Sequence, residues 1–524
     1  MDLAQKSVSS WIDSRWTYAC AVAAIFAIAL TIRLNGLNDT PIWTDEAFTY
    51  IVAKLSPRLL FFGRIDNHPP LYYWLQHLWQ SMFPALSLVR VPAALFGAVT
   101  VPVMTVAAGD LISKRAGLFA GTFLALSTVH VYFSQEARMY TLVCLGLCLA
   151  IWGLAGFIMR QRFVFYGTLY LLGGALAVYS HTIGLFFLTT LNIAACVAFS
   201  LTGKLRAALP RYLALNGLLL LIALPWLLAL PENAATFPGL SRAGPDVIQW
   251  MVMNAIGFPG LTPWPMRLMT LGLFGFCLYG SVNLWKRGDK VLPMLLLGGL
   301  LLYPPLIALL SLQVNLIANR VFLPCALLAA ILYAASLDAL KKPIWRIGTF
   351  VVVSSLSLLS TQLEHGIRMK VENVPYALQG AAARGVADGP IIGCGFFGTI
   401  SAHLLAPQRA SYYLLDDSFM RFNTGYEKSF ALPINAHRLF DARALNALSG
   451  GGLRVAKAEA EFQPYSHVVV FRTYCDAAKM APTDAALTAL GFHKADEVPP
   501  PNLRMTLEVN ATPTELWVRN RSGQ

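Results

Sequence analysis

Long runs of apolar residues recur along the chain up to about residue 361, many of them close to the roughly 20 residues that cross a bilayer. Short polar segments separate the runs. The first run could pass for a signal sequence, but no small-residue cleavage site follows it, so we interpret it as a retained helix. The pattern predicts eleven membrane-spanning helices, at about 17–36, 87–108, 116–133, 139–158, 163–180, 183–201, 212–230, 266–285, 291–311, 321–340 and 344–361.

The segment Pro69–Phe83 is apolar and aromatic but only about 15 residues long, and it opens with two prolines. A segment of that length is too short to span a bilayer comfortably. We therefore expect it to form interfacial helix within a long first outer loop, at about 37–86.

The pattern changes after about residue 362. "GPIIGCGFFGTISAHLL" predicts a strand, a glycine turn and a helix, and "YSHVVVFRTY" predicts a buried strand. "TDAALTALGF" predicts a helix that ends at Gly491, and "RMTLEVN" and "TELWVRN" predict two late strands. The expected fold is thus a polytopic α-helical membrane domain, 1–361, followed by a small α/β domain, 362–524.

Composition and charge agree with this division. The chain is 56% hydrophobic and 13% charged, about half the charged fraction of a soluble protein. The loops on one side carry fifteen Lys and Arg against five Asp and Glu, and those on the other side carry nine against seven. The positive-inside rule then places the N-terminus in the cytoplasm and the tail in the periplasm or at the cell exterior. It also accounts for most of the net charge of +13, so we expect no nucleic-acid partner.

The eight cysteines form no CxxC motif and no zinc-binding spacing. Two of them, Cys394 and Cys475, fall in the tail, and a periplasmic location would permit a disulfide between them. The glycines near Cys394 resemble a dinucleotide-binding fingerprint but lack its full form.

An acidic pair, Asp45-Glu46, follows the first span in "PIWTDEAFTY". Acids in the first turn of a helix can cap it, with Thr44 as the N-cap residue. The second outer loop, "HVYFSQEARMYTL", places Glu136 and Arg138 at the same membrane face. Charges so close to the bilayer are costly and indicate function.

Other polar residues fall at the outer ends of spans: His68 and Tyr72 in "NHPPLYYW", His181 in "YSHTIG" and Arg320 in "NLIANRVFLP". A carboxylate can take a proton from an acceptor, and arginine can hold a phosphate with its planar fork. Together these residue types suit a reaction between a membrane-borne phosphate and a sugar-like acceptor.

"WTDEAFTY", "NHPPLYYWLQHLW", "VRVPAALFGAVTVPV", "KRAGLFAG", "YFSQEARMYTL" and "YSHTIGLF" resemble, in this order, a family of bacterial membrane glycosyltransferases. These C-type integral enzymes are related to protein O-mannosyltransferases and to the lipid A aminoarabinose transferase. The resemblance is dense over roughly residues 15–200 and absent in the tail. The lipid A enzyme has Lys where this chain has His68, so the sugar and the acceptor stay open.

The resemblance implies that a sugar carried on a polyprenyl phosphate is transferred, with inversion, to a glycan, lipid or protein acceptor at the outer face. It implies Asp45 as the general base with Glu46 beside it, Glu136 as the acid of the second loop, and Arg320 as a contact to the donor phosphate. Arg138, His68, Tyr72 and His181 complete the expected substrate-binding set.

We expect no cofactor. Asp45, Glu46 and Glu136 could supply oxygen ligands to a divalent metal, but the resemblance does not require one. Two other classes are consistent with a charged membrane protein: a transporter or flippase for lipid-linked sugars, which would place its charges at the midplane, and a non-catalytic scaffold.

Overall fold

The computed structural model describes most of the membrane-spanning part and the sheet of the tail. The residues that it describes are 14–62, 68–160, 162–202, 205–228, 245–259, 261, 263–312, 316, 318–367, 374–386, 388–393, 395–409, 411–414, 453–456, 462, 464–472, 477–499 and 514–519.

The membrane-spanning part is built from sixteen helices among these residues. They are α1 Arg15–Leu34, α2 Thr44–Val52, α3 Pro57–Phe62, α4 Leu71–Met82, α5 Val91–Leu111, α6 Lys114–Leu126, α7 Thr128–Ser134, α8 Tyr140–Met159, α9 Phe163–Ser180, α10 Thr182–Thr202, α11 Leu205–Leu227, α12 Pro245–Ile256, α13 Pro263–Lys286, α14 Val291–Leu310, α15 Pro324–Ala339 and α16 Pro343–Ile367.

Ten of the eleven expected spans are confirmed as single helices that, among the described residues, are long and apolar enough to cross a membrane. At the position of the other expected span, 116–133, the structure has the consecutive helices α6 and α7, which are bent by 59° at their break. Helix α4, with 12 residues, is too short to span, as expected for Pro69–Phe83. The chain is a multi-pass membrane protein, and the 3-10 turns Leu86–Leu88 and Asn319–Phe322 lead into α5 and α15.

A single buried arginine holds the bend between α6 and α7. Arg33, near the end of α1, is fully buried, and its Nη2 lies 2.8 Å from His130 Nδ1 of α7. Because the bend interrupts the helical hydrogen-bond ladder, the last carbonyls of α6 need donors from elsewhere. The guanidinium supplies them, donating at 3.0–3.2 Å to the carbonyls of Ala29, Leu124 and Ala125 and to the hydroxyl of Ser134.

A second charge cluster, formed by Asp338, Arg115 and Arg287, lies at the other end of the helical bundle from Arg33. Asp338, at the end of α15, accepts a hydrogen bond from Arg115 Nη2 at 2.7 Å and lies 3.4 Å from Arg287 Nη1. Both arginines belong to loops that the charge count assigns to one common side, and the structure brings these two loops together.

The described residues of the tail form a six-stranded sheet. Its elements are α17 Val374–Ala383, β1 Ile391–Gly393, α18 Gly395–Leu405, β2 Ser411–Leu414, β3 Leu453–Ala456, β4 His467–Phe471, α19 Ala477–Ala489, β5 Phe492–Val498 and β6 Thr514–Arg519. The strand order is β3-β2-β1-β4-β6-β5, with the first four parallel and the last two antiparallel.

The strands expected at 391–393, 467–471 and 514–519 are present, and so are both helices, the second followed by Gly491 at φ 81°. Strands β2, β3 and β5 were not expected. In β5 only the two ends, Phe492 and Val498, are buried, so it lacks an apolar alternation. The stretch "RMTLEVN" and both tail cysteines, Cys394 and Cys475, lie outside the described residues.

One helix of the tail packs directly on the membrane-spanning part. Helix α18 lies against α2, the short helix that carries the acidic pair. Ile400 of α18 is fully buried and belongs to the same apolar cluster as Ala47 and Phe48 of α2. The tail therefore supports the helix on which the candidate site depends.

We predict that Arg33→Met lowers the thermal stability of the detergent-purified protein sharply. The substitution removes the guanidinium donors of the Ala29, Leu124 and Ala125 carbonyls and of the Ser134 hydroxyl. A buried polar group left without its hydrogen bond typically costs about 1–3 kcal/mol. Arg15→Met, at the exposed start of the same helix, is the matched control and should melt like the wild type. A wild-type melting temperature for Arg33→Met would show that the bend holds without the guanidinium.

Candidate active site

Helix α2 begins at Thr44, and its N-cap is Trp43 rather than Thr44. Glu46, the third residue of the helix, reaches back so that its Oε2 accepts the backbone N–H of Trp43 at 3.3 Å. The capping interpretation of the acidic pair therefore applies to Glu46. Since successive residues of a helix point about 100° apart, Asp45 faces another direction.

Glu46 is fully buried and forms a bidentate ion pair with Arg90, which precedes α5. Arg90 Nε donates to Oε1 at 2.7 Å, and Nη2 donates to Oε2 at 2.6 Å. The N–H of Ala137, in the second loop, donates to Oε1 at 2.8 Å. One carboxylate thus ties together the first loop, the start of a span and the second loop.

Arg90 also donates hydrogen bonds to the first loop. It donates to the carbonyls of Leu37, Thr40 and Pro41 at 2.8–3.0 Å. These bonds fix the path of the chain between α1 and α2, because one guanidinium joins three carbonyls of that segment.

Asp45 differs from its neighbour in being open. Its side chain is 27% exposed, and its Oδ2 lies 3.9 Å from Arg138 Nε, a loose contact. Its backbone carbonyl accepts the Thr49 hydroxyl at 2.9 Å. A carboxylate with an exposed face and a nearby cation is able to accept a proton from a bound nucleophile.

Arg138 is held by groups from two helices. Its Nη1 donates to the hydroxyl of Tyr73 on α4 at 3.1 Å and to the hydroxyl of Thr49 on α2 at 3.3 Å. Of the two adjacent tyrosines, Tyr73 therefore contacts this arginine. Tyr72 turns away, accepts a hydrogen bond from Gln76 at 3.0 Å and is fully buried, which raises its pKa.

His68 and His181 stack at the same place. Their ring centroids are 4.4 Å apart and their planes are inclined by 35°. The Nδ1 of His181 accepts the backbone N–H of Ile183 at 3.0 Å, so the neutral ring carries its proton on Nε2. Burial lowers the pKa of both imidazoles well below 6.5, and the charges of Arg138 and Arg320 lower them further.

Arg320 and Glu136 complete the predicted set. The Arg320 guanidinium lies 6.0 Å from the centroid of the Tyr140 ring, and that ring is 5.9 Å from His181. Glu136 is buried, with 2% exposure, and its backbone carbonyl accepts the N–H of Arg138 at 2.7 Å. All eight residues singled out from the sequence, which are distant along the chain, thus belong to one end of the helical bundle.

No group of three or more His, Cys, Asp or Glu side chains is arranged to hold a metal among the described residues. Both Glu46 oxygens already accept hydrogen bonds from Arg90 and from backbone N–H groups, so this residue does not suit a metal-ligand role. No cofactor is indicated by the site.

Sequence reasoning did not assign three residues of this cluster. Arg90 stands in the motif "VRVPAALF", and a charge at the start of a span could have singled it out. Tyr73 could not be separated from Tyr72 without knowing which face α4 presents. Tyr140 opens a span and is an ordinary interfacial residue by sequence alone.

Searches by sequence find no matching protein family and no matching curated protein. Solved structures do match. ArnT from Cupriavidus metallidurans in the apo state superposes with a TM-score of 0.56 at 10% identity, over 95% of this chain and 97% of that one. The chain has the ArnT fold.

ArnT bound to undecaprenyl phosphate gives a TM-score of 0.53 at 10% identity, covering 96% of this chain and 98% of ArnT. The Archaeoglobus fulgidus oligosaccharyltransferase AglB, solved with an inhibitory peptide and a dolichol-phosphate, is more distant. It gives a TM-score of 0.48 at 12% identity, covering 88% of this chain and 70% of AglB. The sequence motifs resemble a family of membrane glycosyltransferases related to the lipid A aminoarabinose transferase, and the likeness in fold to ArnT confirms that resemblance at the level of structure.

We predict that Glu46→Gln strongly lowers the melting temperature of the purified protein. The change leaves Arg90 buried without its counter-charge, a loss of typically about 3–5 kcal/mol. The matched control is Asp45→Asn, the same chemical change one residue earlier at a partly exposed site, which should melt within about a degree of the wild type.

A double variant tests the pair itself. Arg90→Gln alone should also destabilise, and combining it with Glu46→Gln should cost clearly less than the two single changes added together, because no charge is then left unpaired. Additive losses would mean that the two side chains act independently.

We also predict that the unliganded protein loses stability as the pH falls below about 6.5. The pKa of each paired histidine is lowered in the folded state, so the unfolded chain binds protons first, and each such group costs up to about 1.4 kcal/mol per pH unit. His68→Gln should flatten the fall in melting temperature between pH 7 and pH 5. His77→Gln, in the same loop but outside the pair, controls for the substitution, and equal slopes in all three proteins would contradict the prediction.

Proposed function

We propose that the protein is a glycosyltransferase that transfers a sugar from a polyprenyl-phosphate donor to an acceptor at the outer face of the bacterial inner membrane. The observation that carries the proposal is the partly exposed carboxylate of Asp45, held beside Arg138 and close to a histidine pair at one end of an ArnT fold. A base and a cluster of cationic groups lie together where a lipid headgroup would reach.

In this proposal Asp45 accepts the proton of the acceptor hydroxyl or amine as the nucleophile attacks the anomeric carbon. The attack comes from the side opposite the lipid phosphate, so the configuration at that carbon inverts. The bond between the anomeric carbon and the phosphate oxygen breaks, and both its electrons leave with the phosphate.

The leaving lipid phosphate gains negative charge in this step. Arg138 and Arg320 would stabilise that charge, and the Nε2–H of His181 can donate to an anionic oxygen. His68 would contribute as a further donor from the opposite side of the stacked pair. Arginine suits this role because its fork can hold two phosphate oxygens at once.

Glu136 is the second acidic candidate. Its side chain is buried, so an acceptor reaches Asp45 more easily, and Glu136 is the second choice for the general base. Glu46 we propose as a bracing residue, since both its oxygens are engaged.

The topology belongs to the same proposal. The loops of the site would face the periplasm together with the tail, about 362–524, while Asp338 and its arginine partners would mark the cytoplasmic end. A polyprenyl-phosphate sugar, once presented at the outer leaflet, would then meet its acceptor without crossing the membrane again.

The transporter alternative finds less support. A transporter for lipid-linked sugars would place its ionic groups near the midplane, on broken helices. Here the predicted residues gather at one end of the bundle, and Arg33, the buried charge beside the broken helix pair α6 and α7, donates its hydrogen bonds to the carbonyls at the bend. Transfer of sugar by the detergent-solubilised protein would separate the two functions, because detergent leaves no compartments to transport between.

The decisive variant is Asp45→Asn. We predict that it lowers the transfer rate by about 10² to 10⁴, the usual effect of removing a general base, without changing the melting temperature. Mass spectrometry of envelope glycans, lipids and proteins from cells with and without the gene first identifies the transferred sugar and its acceptor. Wild type and variants are then compared at equal expression in the deletion strain and as purified proteins.

Asp39→Asn provides the matched control, since Asp39 is an exposed carboxylate of the same loop. It should restore the modification fully. Activity of Asp45→Asn within about threefold of the wild type would overturn the assignment of the base and transfer it to Glu136.

A further inference from the structure

Two tyrosine hydroxyls, those of Tyr140 and Tyr333, are buried without a hydrogen-bond partner in the described part of the chain. A buried hydroxyl that lacks a partner loses its bonds to water and gains nothing in return, at a cost of typically 1–3 kcal/mol. Such a hydroxyl is expected in two situations. Either a bound ligand accepts its hydrogen bond, or the packing of the ring leaves the hydroxyl among apolar groups. The surroundings of the two tyrosines differ, and the difference decides between these explanations.

Tyr333 lies in the middle of the apolar helix α15. Its ring packs against Phe123 at 4.9 Å and Phe276 at 5.9 Å between centroids. Its ring contacts are thus aromatic and uncharged, which is what packing in a membrane-spanning bundle produces.

Tyr140 lies among charged and polar groups of the candidate site. It is 1% exposed, its ring is 6.0 Å from the Arg320 guanidinium on one side, and the His181 ring is 5.9 Å away. The edge contact with Phe133, at 5.1 Å, fixes the plane of the ring. The hydroxyl is therefore held in place by rigid neighbours rather than left free to turn toward solvent.

The charges around Tyr140 indicate which kind of ligand would accept its proton. Tyr140 is the first residue of α8, so it stands at the positive end of a 20-residue helix, two residues after Arg138. With Arg320 across the ring, the local field favours an anion. A phenol O–H donates a short, strong hydrogen bond to an anionic oxygen and has no charge of its own that would add to the repulsion among the arginines.

We propose that the Tyr140 hydroxyl donates a hydrogen bond to a phosphate oxygen of the polyprenyl-phosphate donor, so that Tyr140 is a substrate-binding residue of the site. The inference rests on the proposed function. The chemistry it needs is that of a phosphate oxygen, which a lipid headgroup or free phosphate could supply, and we assign the lipid headgroup because the residue opens a membrane span.

The test compares Tyr140→Phe with Tyr333→Phe in the full-length purified protein. Both substitutions keep the ring and remove one orphan buried hydroxyl, so neither should lower the melting temperature without ligand. Binding is measured with farnesyl phosphate, farnesol and inorganic phosphate as three separate probes. The wild type should bind farnesyl phosphate more tightly than either of the other two.

Tyr140→Phe should raise the Kd for farnesyl phosphate by about tenfold to a hundredfold, the usual effect of one hydrogen bond to a charged group, and leave the Kd for farnesol unchanged. Tyr333→Phe should change neither. Equal affinities of the wild type and Tyr140→Phe for farnesyl phosphate would overturn the proposal. Equal affinity of the wild type for inorganic and farnesyl phosphate would overturn its assignment to a lipid headgroup.

The outcome also separates this inference from the proposed function. If the wild type binds farnesyl phosphate and Tyr140→Phe binds it equally well, the glycosyltransferase proposal stands and only the role of Tyr140 fails. If the wild type binds no polyprenyl phosphate, both fail together.

Discussion

The buried ion pair between Glu46 and Arg90 is the interaction on which the rest of the site depends. Two unit charges withdrawn from water cost several kcal/mol each, and only close geometry with further hydrogen bonds offsets that cost. Here the geometry is bidentate at 2.6 and 2.7 Å, and backbone groups from two loops complete both partners. The pair joins the first loop, the second loop and a span, so it is a structural clamp.

The clamp explains why two adjacent acids can have different properties. With Glu46 committed to the interior, the helical rotation leaves Asp45 facing outward, where its carboxylate keeps 27% exposure. Helix α18 of the tail packs on the same short helix, so α2 is fixed from both sides. A nine-residue helix would be marginal alone, and its orientation here comes from tertiary contacts.

Much of this arrangement could be predicted from sequence. The spans follow from apolar runs, because a bilayer demands length and low polarity, and even the short α4 could be set apart by its length. Asp45, Glu136, Arg138 and Arg320 could be singled out as charges at the membrane edge. What the pattern could not supply was the pairing: Arg90 is an interfacial arginine by sequence, and only the fold shows that it meets Glu46. The bend at α6 and α7 also escaped prediction, since "GTFLALSTVHVYF" contains no proline or charged residue to mark a break, and Arg33, which binds the carbonyls at the bend, lies about ninety residues earlier.

The charges of the site have one further consequence. Burial lowers the pKa of the paired histidines, and the charges of Arg138 and Arg320 lower it further, so a proton on either ring would be opposed by both arginines. An anion that binds beside Arg138 and Arg320 meets positive charges that the fold already holds in position. Little rearrangement is then needed on binding. A neutral donor such as the Tyr140 hydroxyl adds a bond to that anion without adding to the repulsion, and this is why an uncharged side chain fits between two arginines and a histidine pair.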